Sequence, residues 1–299
     1  MQSYIDEVKN IRTNWAIADA ERDKDFTTPD EIERFDNISY GPYGDENLLD
    51  VYIIKGTDKP MPTIVNIHGG AWVYGSKEVY QYYCMNLALR GFTVVNINYR
   101  VAPENHFPAP LVDVNEALSF ITTCAKDYYI DTDNIILIGD SAGAQIASQY
   151  ATIYSNTDYA KLFDFEVPKI TIRALGLNCG CYDTKRMFIK DNEPMFCGYL
   201  GINPAETTDS FIDMLDVFGH MTEAFPPSYI ISAQNDFLLA EVEPMHSFLR
   251  TFNIPAEYKI YGTKEQKEIG HVFCVNIALD EATICNDDQT AFFKKYIKL

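Results

Sequence analysis

The sequence contains no apolar run long enough to cross a bilayer. Its apolar runs, such as residues 135–138, fall far short of the roughly 20 residues that a transmembrane helix needs. The N-terminus carries Asp6 and Glu7 and lacks the apolar segment of a secretory signal. Both absences argue against integral membrane association and against secretion, so we expect a cytoplasmic protein.

Paired cysteines are also lacking. The seven cysteines are odd in number and scattered in spacing, which argues against a disulfide framework. Cys179 and Cys181 have neither a second cysteine pair nor nearby histidines, so a zinc site is not expected. We interpret most of these cysteines as small buried apolar residues in a reducing compartment.

Positive charge is scarce in this chain. There are 24 lysines and arginines against 43 aspartates and glutamates, which gives a net charge of −19. Such a chain repels polyphosphates, so a nucleic-acid partner is not expected. The apolar content of 47% is ordinary for a globular protein, and 299 residues suffice for one domain with insertions.

From about residue 41 onward, short β-branched runs alternate with helical stretches. The predicted strands are Leu48–Ile54, Thr63–Ile67, Thr93–Tyr99, Asn134–Ile138, Ile170–Leu177, Pro227–Ser232 and Ala256–Tyr261. The helical stretches are Val79–Arg90, Leu111–Ala125, Gln145–Ser155 and Val242–Phe252. This alternation predicts an α/β protein with a mostly parallel central sheet flanked by helices.

Two segments depart from the alternation. Residues 1–40 show helical spacing between Tyr4 and Ile17, and Thr27–Glu31 gives a start signal for a second short helix. We therefore predict a helical N-terminal cap over 1–40 and a main domain over 41–299. Residues 183–225 lie between two predicted strands and are predicted to be an inserted cap that shapes a ligand pocket.

The most informative motif is Gly139-Asp140-Ser141-Ala142-Gly143. A buried strand leads into this G-x-S-x-G pattern and a helical pattern follows it, which is the context of a nucleophile elbow. The serine must sit on a sharp, strained turn, and the small residues at 139 and 143 let strand and helix approach closely. The sequence therefore predicts Ser141 as a nucleophile at a helix N-terminus, whose dipole favours negative charge.

A second strand runs into the glycine turn His68-Gly69-Gly70-Ala71-Trp72. A tetrahedral oxyanion needs backbone N–H groups aimed at it, and glycines let the main chain reach the reacting carbon. We predict the amides of Gly70, Ala71 and Ala142 as the oxyanion donors, with Gly69 shaping the turn. For His68 we favour a structural role in holding this turn over a role as the base.

With both motifs in place, the chain resembles the hormone-sensitive-lipase-like carboxylesterases of the α/β-hydrolase fold. The resemblance rests on the glycine turn, on Tyr99-Arg100-Val101-Ala102-Pro103-Glu104 and on the elbow, and it runs from about residue 40 to the C-terminus. The family usually has glycine where this chain has Ala71 and Ala144. The resemblance places Glu104 next to the active-site floor, while a surface carboxylate is equally compatible with the sequence.

The order of the triad in this fold is serine, then acid, then histidine. Of the histidines after Ser141, His271 follows Gly270 in the loop after the last predicted strand, whereas His220 and His246 lie in the cap and in a helix. Asp236 closes the preceding strand and resembles the family's Asp-x-Leu signature. We therefore predict His271 as the base and Asp236 as its orienting acid, ahead of the rivals Asp183 and Asp216.

These residues predict a serine carboxylic-ester hydrolase for short- to medium-chain acyl esters, acting through an acyl-enzyme without metal or organic cofactor. An arylformamidase-like amide hydrolase is an open alternative, because the His-Gly-Gly-x-Trp pattern also occurs in hydrolases of that type. A triacylglycerol lipase and a non-catalytic small-molecule receptor are the remaining alternatives. The predicted partner is a small ester, and the family resemblance implies a homodimer, which the residues themselves do not indicate. The predicted pocket linings are Trp72, Tyr74, Phe196 and Phe211.

Overall fold

The computed structural model describes residues 2–191 and 194–298. In this part of the chain eight strands form one sheet in the order β1-β2-β4-β3-β5-β6-β7-β8. β2 is antiparallel to both β1 and β4, and the other neighbours are parallel. The strands are β1 Ile32–Ser39, β2 Leu48–Ile54, β3 Met61–Ile67, β4 Thr93–Ile97, β5 Ile130–Asp140, β6 Ile172–Asn178, β7 Ser228–Ala233 and β8 Ala256–Tyr261.

Helices cover both faces of the sheet. They are α1 Gln2–Asp23, α2 Lys77–Ala88, α3 Ala109–Cys124, α4 Ala142–Ser155, α5 Thr157–Ala160, α6 Thr184–Ile189, α7 Pro194–Leu200, α8 Asp209–Met214, α9 Val217–His220, α10 Val242–Thr251 and α11 Asp280–Lys294. Along β3, Val65 belongs to the core cluster that includes residues of α3, α4 and α10, while Ile64 belongs to the second core cluster, which includes residues of α2 and α11. Because both faces are covered, the central strands are apolar at nearly every position. The predicted α/β architecture, a mostly parallel central sheet flanked by helices, is confirmed.

The second short helix predicted from Thr27–Glu31 is wrong. Residues 32–39 instead form β1, which pairs antiparallel with β2 from Ile32 opposite Ile54 to Ser39 opposite Leu48. Ile32 is buried, and Phe35 and Ile38 pack against the core. The helix-start signal is local, whereas the exposed edge of β2 offers a full row of backbone partners, and this pairing determines the conformation. Of the segment 1–40, α1 alone is helical among the described residues.

The segment 183–225 is an insertion between β6 and β7. It contains the four short helices α6 to α9 and one 3₁₀ turn at Pro204–Glu206. The long helix α11, by contrast, has no counterpart among the predicted helices. Within residues 2–191 and 194–298, none of the helices combines the length and the apolar character that a membrane span requires.

Candidate active site

Ser141 lies on the turn that joins β5 to α4. Its backbone has φ 50° and ψ −118°, an uncommon conformation for a residue with a side chain, and its N–H donates to the Asn178 carbonyl over 2.8 Å. A Cβ at Gly139 would collide with the Gly143 carbonyl, and one at Gly143 would collide with the carbonyls of Ile67 and His68. The turn is therefore as tight as a nucleophile elbow requires.

Ser141, His271 and Asp236 are joined by a continuous line of hydrogen bonds. His271 Nε2 lies 3.0 Å from Ser141 Oγ, and His271 Nδ1 lies 2.7 Å from Asp236 Oδ1. Three segments far apart in the chain supply these groups, at the carboxyl ends of β5, β7 and β8. The arrangement can move a proton from the serine hydroxyl to the imidazole while the carboxylate orients the ring.

The Asp236 side chain is fully buried and fully partnered. Besides His271 it accepts hydrogen bonds from the Ser232 hydroxyl at 2.6 Å and from the Leu238 N–H at 2.9 Å. Burial by itself raises the pKa of this carboxyl, but the hydrogen bond and charge of His271 and the bonds from Ser232 and Leu238 outweigh burial and hold the pKa below its ordinary value. Asp236 is thus held as a carboxylate beside the imidazole.

Cys179 is a buried residue next to Asp236 and His271. It follows β6 with a left-handed φ of 49°, and its Sγ accepts a hydrogen bond from the Val272 N–H at 3.4 Å. Burial raises the pKa of its thiol well above the ordinary value, so it is not poised as a nucleophile. Its sulfur and ligand atoms of Asp236 and His271 lie within 4.8 Å of one another, but the hydrogen bonds are those of a triad, not of a metal site.

The glycine turn after β3 packs against the elbow. Gly70, Ala71 and Trp72 have φ values of 120°, 51° and 62°, so the chain turns sharply through three consecutive residues. The Gly69 N–H already donates to Asp140 Oδ1 and to the Tyr80 hydroxyl, each at 3.1 Å. Gly69 is therefore engaged within the fold, which agrees with a shaping role. The amides of Gly70, Ala71 and Ala142 stay the predicted oxyanion donors.

His68 lies beneath this turn and is completely buried. Its Nδ1 is 2.7 Å from the Gly69 carbonyl, and its ring stacks on Tyr99 with centroids 4.1 Å apart. Burial lowers the pKa of His68 to about 4, so the ring is neutral at physiological pH and donates its Nδ1 proton to Gly69. His68 therefore holds the turn, whereas His271 is the histidine that contacts Ser141.

Sequence reasoning missed the pair Asp140 and Tyr80. The Tyr80 hydroxyl donates to Asp140 Oδ2 at 2.7 Å, and both side chains are buried beside Ser141. Burial raises the pKa of Asp140 to about 6, although the bonds from Tyr80 and Gly69 act in the opposite direction. The available signal was an acidic residue at the end of an apolar strand, where a carboxylate requires partners.

A cavity of about 170 Å³ opens beside Ser141 and His271. Much of its wall comes from α1, which contributes Trp15, Ala18, Asp19 and Arg22. The remaining lining residues are Gly69, Gly70, Tyr74, Gly75, Val79, Tyr80, Asp140, Val272 and Val275. The N-terminal helix, more than the insertion, therefore bounds this cavity.

Of the four predicted pocket residues, Tyr74 lines the cavity and the other three do not. Trp72 is buried, donates its indole N–H to Gln145 Oε1 at 2.9 Å, and packs its ring against Phe196 at 5.0 Å. Phe211 packs on Phe107 at 5.7 Å. The left-handed turn at Trp72 accompanies this inward placement, so its ring and Phe196 join the aromatic core beneath the insertion.

Side-chain hydrogen bonds attach α1 to the rest of the protein. Arg12 donates to both carboxylate oxygens of Glu104 at 2.8 and 2.6 Å and to the Val73 and Ala102 carbonyls at 2.8 and 2.9 Å. The Tyr74 hydroxyl donates to Asp19 at 2.7 Å. The hydrogen bond from Arg12 lowers the pKa of Glu104. Glu104 is thus an anchor for α1.

The family profile named BD-FAE matches residues 49–247, more than half of the chain. The chain belongs to the BD-FAE family. Together with the fold, this places the BD-FAE protein among the α/β-hydrolase esterases, and the predicted family resemblance is confirmed.

Several named relatives of this BD-FAE protein are esterases. It is 31% identical to "Probable carboxylic ester hydrolase LipM" of Mycobacterium tuberculosis over 68% of this chain, which spans about half, 48%, of LipM. It is 27% identical to versiconal hemiacetal acetate esterase of Dothistroma septosporum over 71% of this chain and 67% of that protein. The crystal structure of Lactobacillus rhamnosis esterase B with a tributyrin phosphonate superposes with a TM-score of 0.87 at 22% identity, covering 99% of this chain and 96% of that one.

Proposed function

We propose that the protein is a serine carboxylic-ester hydrolase that cleaves short- to medium-chain acyl esters through an acyl-enzyme on Ser141. The observation that carries the proposal is the unbroken hydrogen-bond line from Ser141 Oγ through His271 to Asp236. Each group lies within hydrogen-bond reach of the next, as general-base activation of a serine requires.

The reaction has two halves. Ser141 Oγ attacks the ester carbonyl carbon while His271 Nε2 accepts the hydroxyl proton, and the amides of Gly70, Ala71 and Ala142 receive the oxyanion. His271 then gives the proton to the leaving alcohol oxygen as the C–O bond breaks. In the second half, a water molecule attacks the acyl carbon while His271 accepts its proton. His271 then returns that proton to Ser141 Oγ as the bond between Ser141 Oγ and the acyl carbon breaks and the acid is released.

The size of the cavity supports a compact acyl group. At about 170 Å³ it is close in volume to an engineered cavity of roughly 150 Å³ that holds benzene. A chain of about four to six carbons fits such a volume, whereas a long fatty acyl chain does not. Esterase B, with its tributyrin phosphonate, supports an acyl group of this length.

The first experiment measures hydrolysis of p-nitrophenyl esters from acetate to decanoate, with N-formylkynurenine alongside. We expect fast turnover of the short esters, a decline toward decanoate, and a loss of kcat of at least about 10⁴-fold in Ser141→Ala. Unchanged hydrolysis in Ser141→Ala would refute the proposal. Activity on the formamide alone would assign an arylformamidase, and inactivity of the folded protein on every substrate would favour a receptor.

We also propose that the protein acts in the cytoplasm as a homodimer. The odd number and scattered spacing of the cysteines support a reducing compartment. The resemblance to a family whose members often dimerise supports the homodimer. Cell fractionation and size-exclusion chromatography with light scattering test the two proposals.

A further inference from the structure

Phe237 is a large aromatic residue that the fold leaves in solvent beside the catalytic histidine. It is 74% exposed, and its ring centroid lies 4.2 Å from that of the His271 imidazole, with the planes 39° apart. A single exposed apolar side chain is ordinary on a protein surface. An exposed ring that covers one face of the triad imidazole is in a position to meet the substrate.

The turn that carries Phe237 is held in place by hydrogen bonds. The Asp236 N–H donates to the Ala233 carbonyl at 3.1 Å, the Leu238 N–H donates to Asp236 Oδ1 at 2.9 Å, and the Leu239 N–H donates to the Asp236 carbonyl at 3.2 Å. Asp236, which orients His271, therefore also fixes the backbone on both sides of Phe237. The position of the Phe237 ring is thus coupled to the positions of Asp236 and His271.

The chemistry of the reaction determines which part of an ester meets this ring. The leaving oxygen must receive its proton from His271 Nε2, so it comes within about 3 Å of that atom. The first carbons of the leaving alcohol therefore lie next to the imidazole. His271 also lines the cavity beside Ser141, whereas Phe237 does not. The acyl group fills the cavity, and the alcohol leaves toward the open side where Phe237 lies.

We propose that Phe237 is the wall of a leaving-group subsite that favours esters of apolar, above all aromatic, alcohols. This inference rests on the proposed ester hydrolysis and deepens it by naming the class of alcohol. An aromatic leaving group covers the exposed face of Phe237 and packs against it in an offset or edge-to-face geometry. A small polar alcohol makes no such contact.

A competing role for the same ring is stabilisation of the imidazolium that forms during catalysis, because a ring face attracts a nearby cation. If the ring has that role, its removal changes the turnover of all esters by the same factor. Its removal also lowers the apparent pKa of the acidic limb of the kcat/KM profile. A leaving-group subsite changes turnover according to the alcohol and leaves the limb in place. The two roles therefore give different results.

The test compares ethyl acetate with 2-phenylethyl acetate, which form the same acetyl-enzyme. A difference in kcat/KM therefore reports binding of the ester and acylation, the steps in which the alcohol group is still present. Acetic acid release is followed in a pH-stat for wild type, Phe237→Ala and Phe237→Leu. Tyr258→Ala is a matched control, because Tyr258 is a 46% exposed aromatic residue whose ring lies 4.8 Å from another histidine, His246. Circular dichroism and thermal melting show that each variant is folded.

We expect Phe237→Ala to lower kcat/KM about tenfold for 2-phenylethyl acetate and less than about twofold for ethyl acetate. Phe237→Leu should fall between, and Tyr258→Ala should match wild type. Equal losses on both esters, or no loss on either, would overturn the inference. Wild-type protein that hydrolyses neither ester would refute the proposed function itself and the inference with it, which separates the two failures.

Discussion

Asp140 and Ser141 are adjacent in sequence, but their side chains lie in different environments. Ser141 projects into the site on a strained backbone, while Asp140 points into the protein and binds the Gly69 N–H and the Tyr80 hydroxyl. Through Gly69, the carboxylate joins the elbow to the oxyanion turn. The dipeptide Asp140-Ser141 therefore connects the predicted nucleophile to the loop that is predicted to stabilise the oxyanion.

The raised pKa of Asp140 makes the free energy of unfolding depend on pH. The folded protein holds this proton up to about pH 6, against an ordinary value of 3.8. The associated stability is present below about pH 4 and is lost as pH rises through 6, and it amounts to about 3 kcal/mol. We expect wild type to lose about that much free energy of unfolding relative to Asp140→Asn between pH 4 and pH 7.

Urea denaturation at pH 4, 5, 6 and 7 measures this difference. Asp58→Asn is the control, because Asp58 is an exposed residue of the loop after β2. The free energy of unfolding of this variant should follow that of wild type at each pH. A difference between Asp140→Asn and wild type that stays constant over this range would contradict the prediction.

The helix α1 is the element that bounds the cavity. It presents Trp15, Ala18, Asp19 and Arg22 to the cavity and is anchored by Arg12 on Glu104. Its periodicity predicts a helix, but it does not predict which surface the helix covers. That choice depends on contacts with residues about 90 positions away.

A larger side chain at Ala18 should shorten the acyl chains that the enzyme accepts. We expect Ala18→Phe to lower kcat/KM for p-nitrophenyl hexanoate about tenfold or more, with acetate changed by less than about twofold, because the ring fills the cavity. Ala16→Phe, on the same helix but outside the cavity lining, should match wild type on both esters. Equal losses on acetate and hexanoate in Ala18→Phe would contradict the assignment of the cavity to the acyl group.

At the scale of the whole molecule, the predicted division into a cap over 1–40 and a domain over 41–299 can be compared with the strand order of the sheet. β1 lies within the first segment, yet it pairs with β2 along the edge of the central sheet. Without β1, the edge of β2 presents unpaired backbone groups, which promotes association between chains.

Two truncations test this division. Removal of residues 2–26 should leave a folded, monodisperse protein with altered chain-length preference, because α1 is lost and β1 is kept. Removal of residues 2–40 should lower the melting temperature and cause aggregation. Circular dichroism and size-exclusion chromatography measure both. Identical behaviour of the two truncated proteins would instead support a dispensable cap over 1–40.

The sequence alone determines the features whose signals are local. Apolar β-branched runs predict the central strands, because those strands are buried on both faces. The glycines around Ser141 mark the elbow because strand and helix must touch there. His271 and Asp236 are predicted from the triad order of the fold, from the family resemblance and from their places after successive strands, since the carboxyl ends of parallel strands meet at one edge.

Only the tertiary structure decides the features that depend on distant partners. Residues 32–39 become a strand because β2 offers its edge, and Trp72 is buried because the insertion packs over it. The cavity acquires its wall from α1 because Arg12 reaches Glu104 across the molecule. Burial and pKa are properties of the assembled environment, so the state of Asp140 cannot be deduced from its place in a motif.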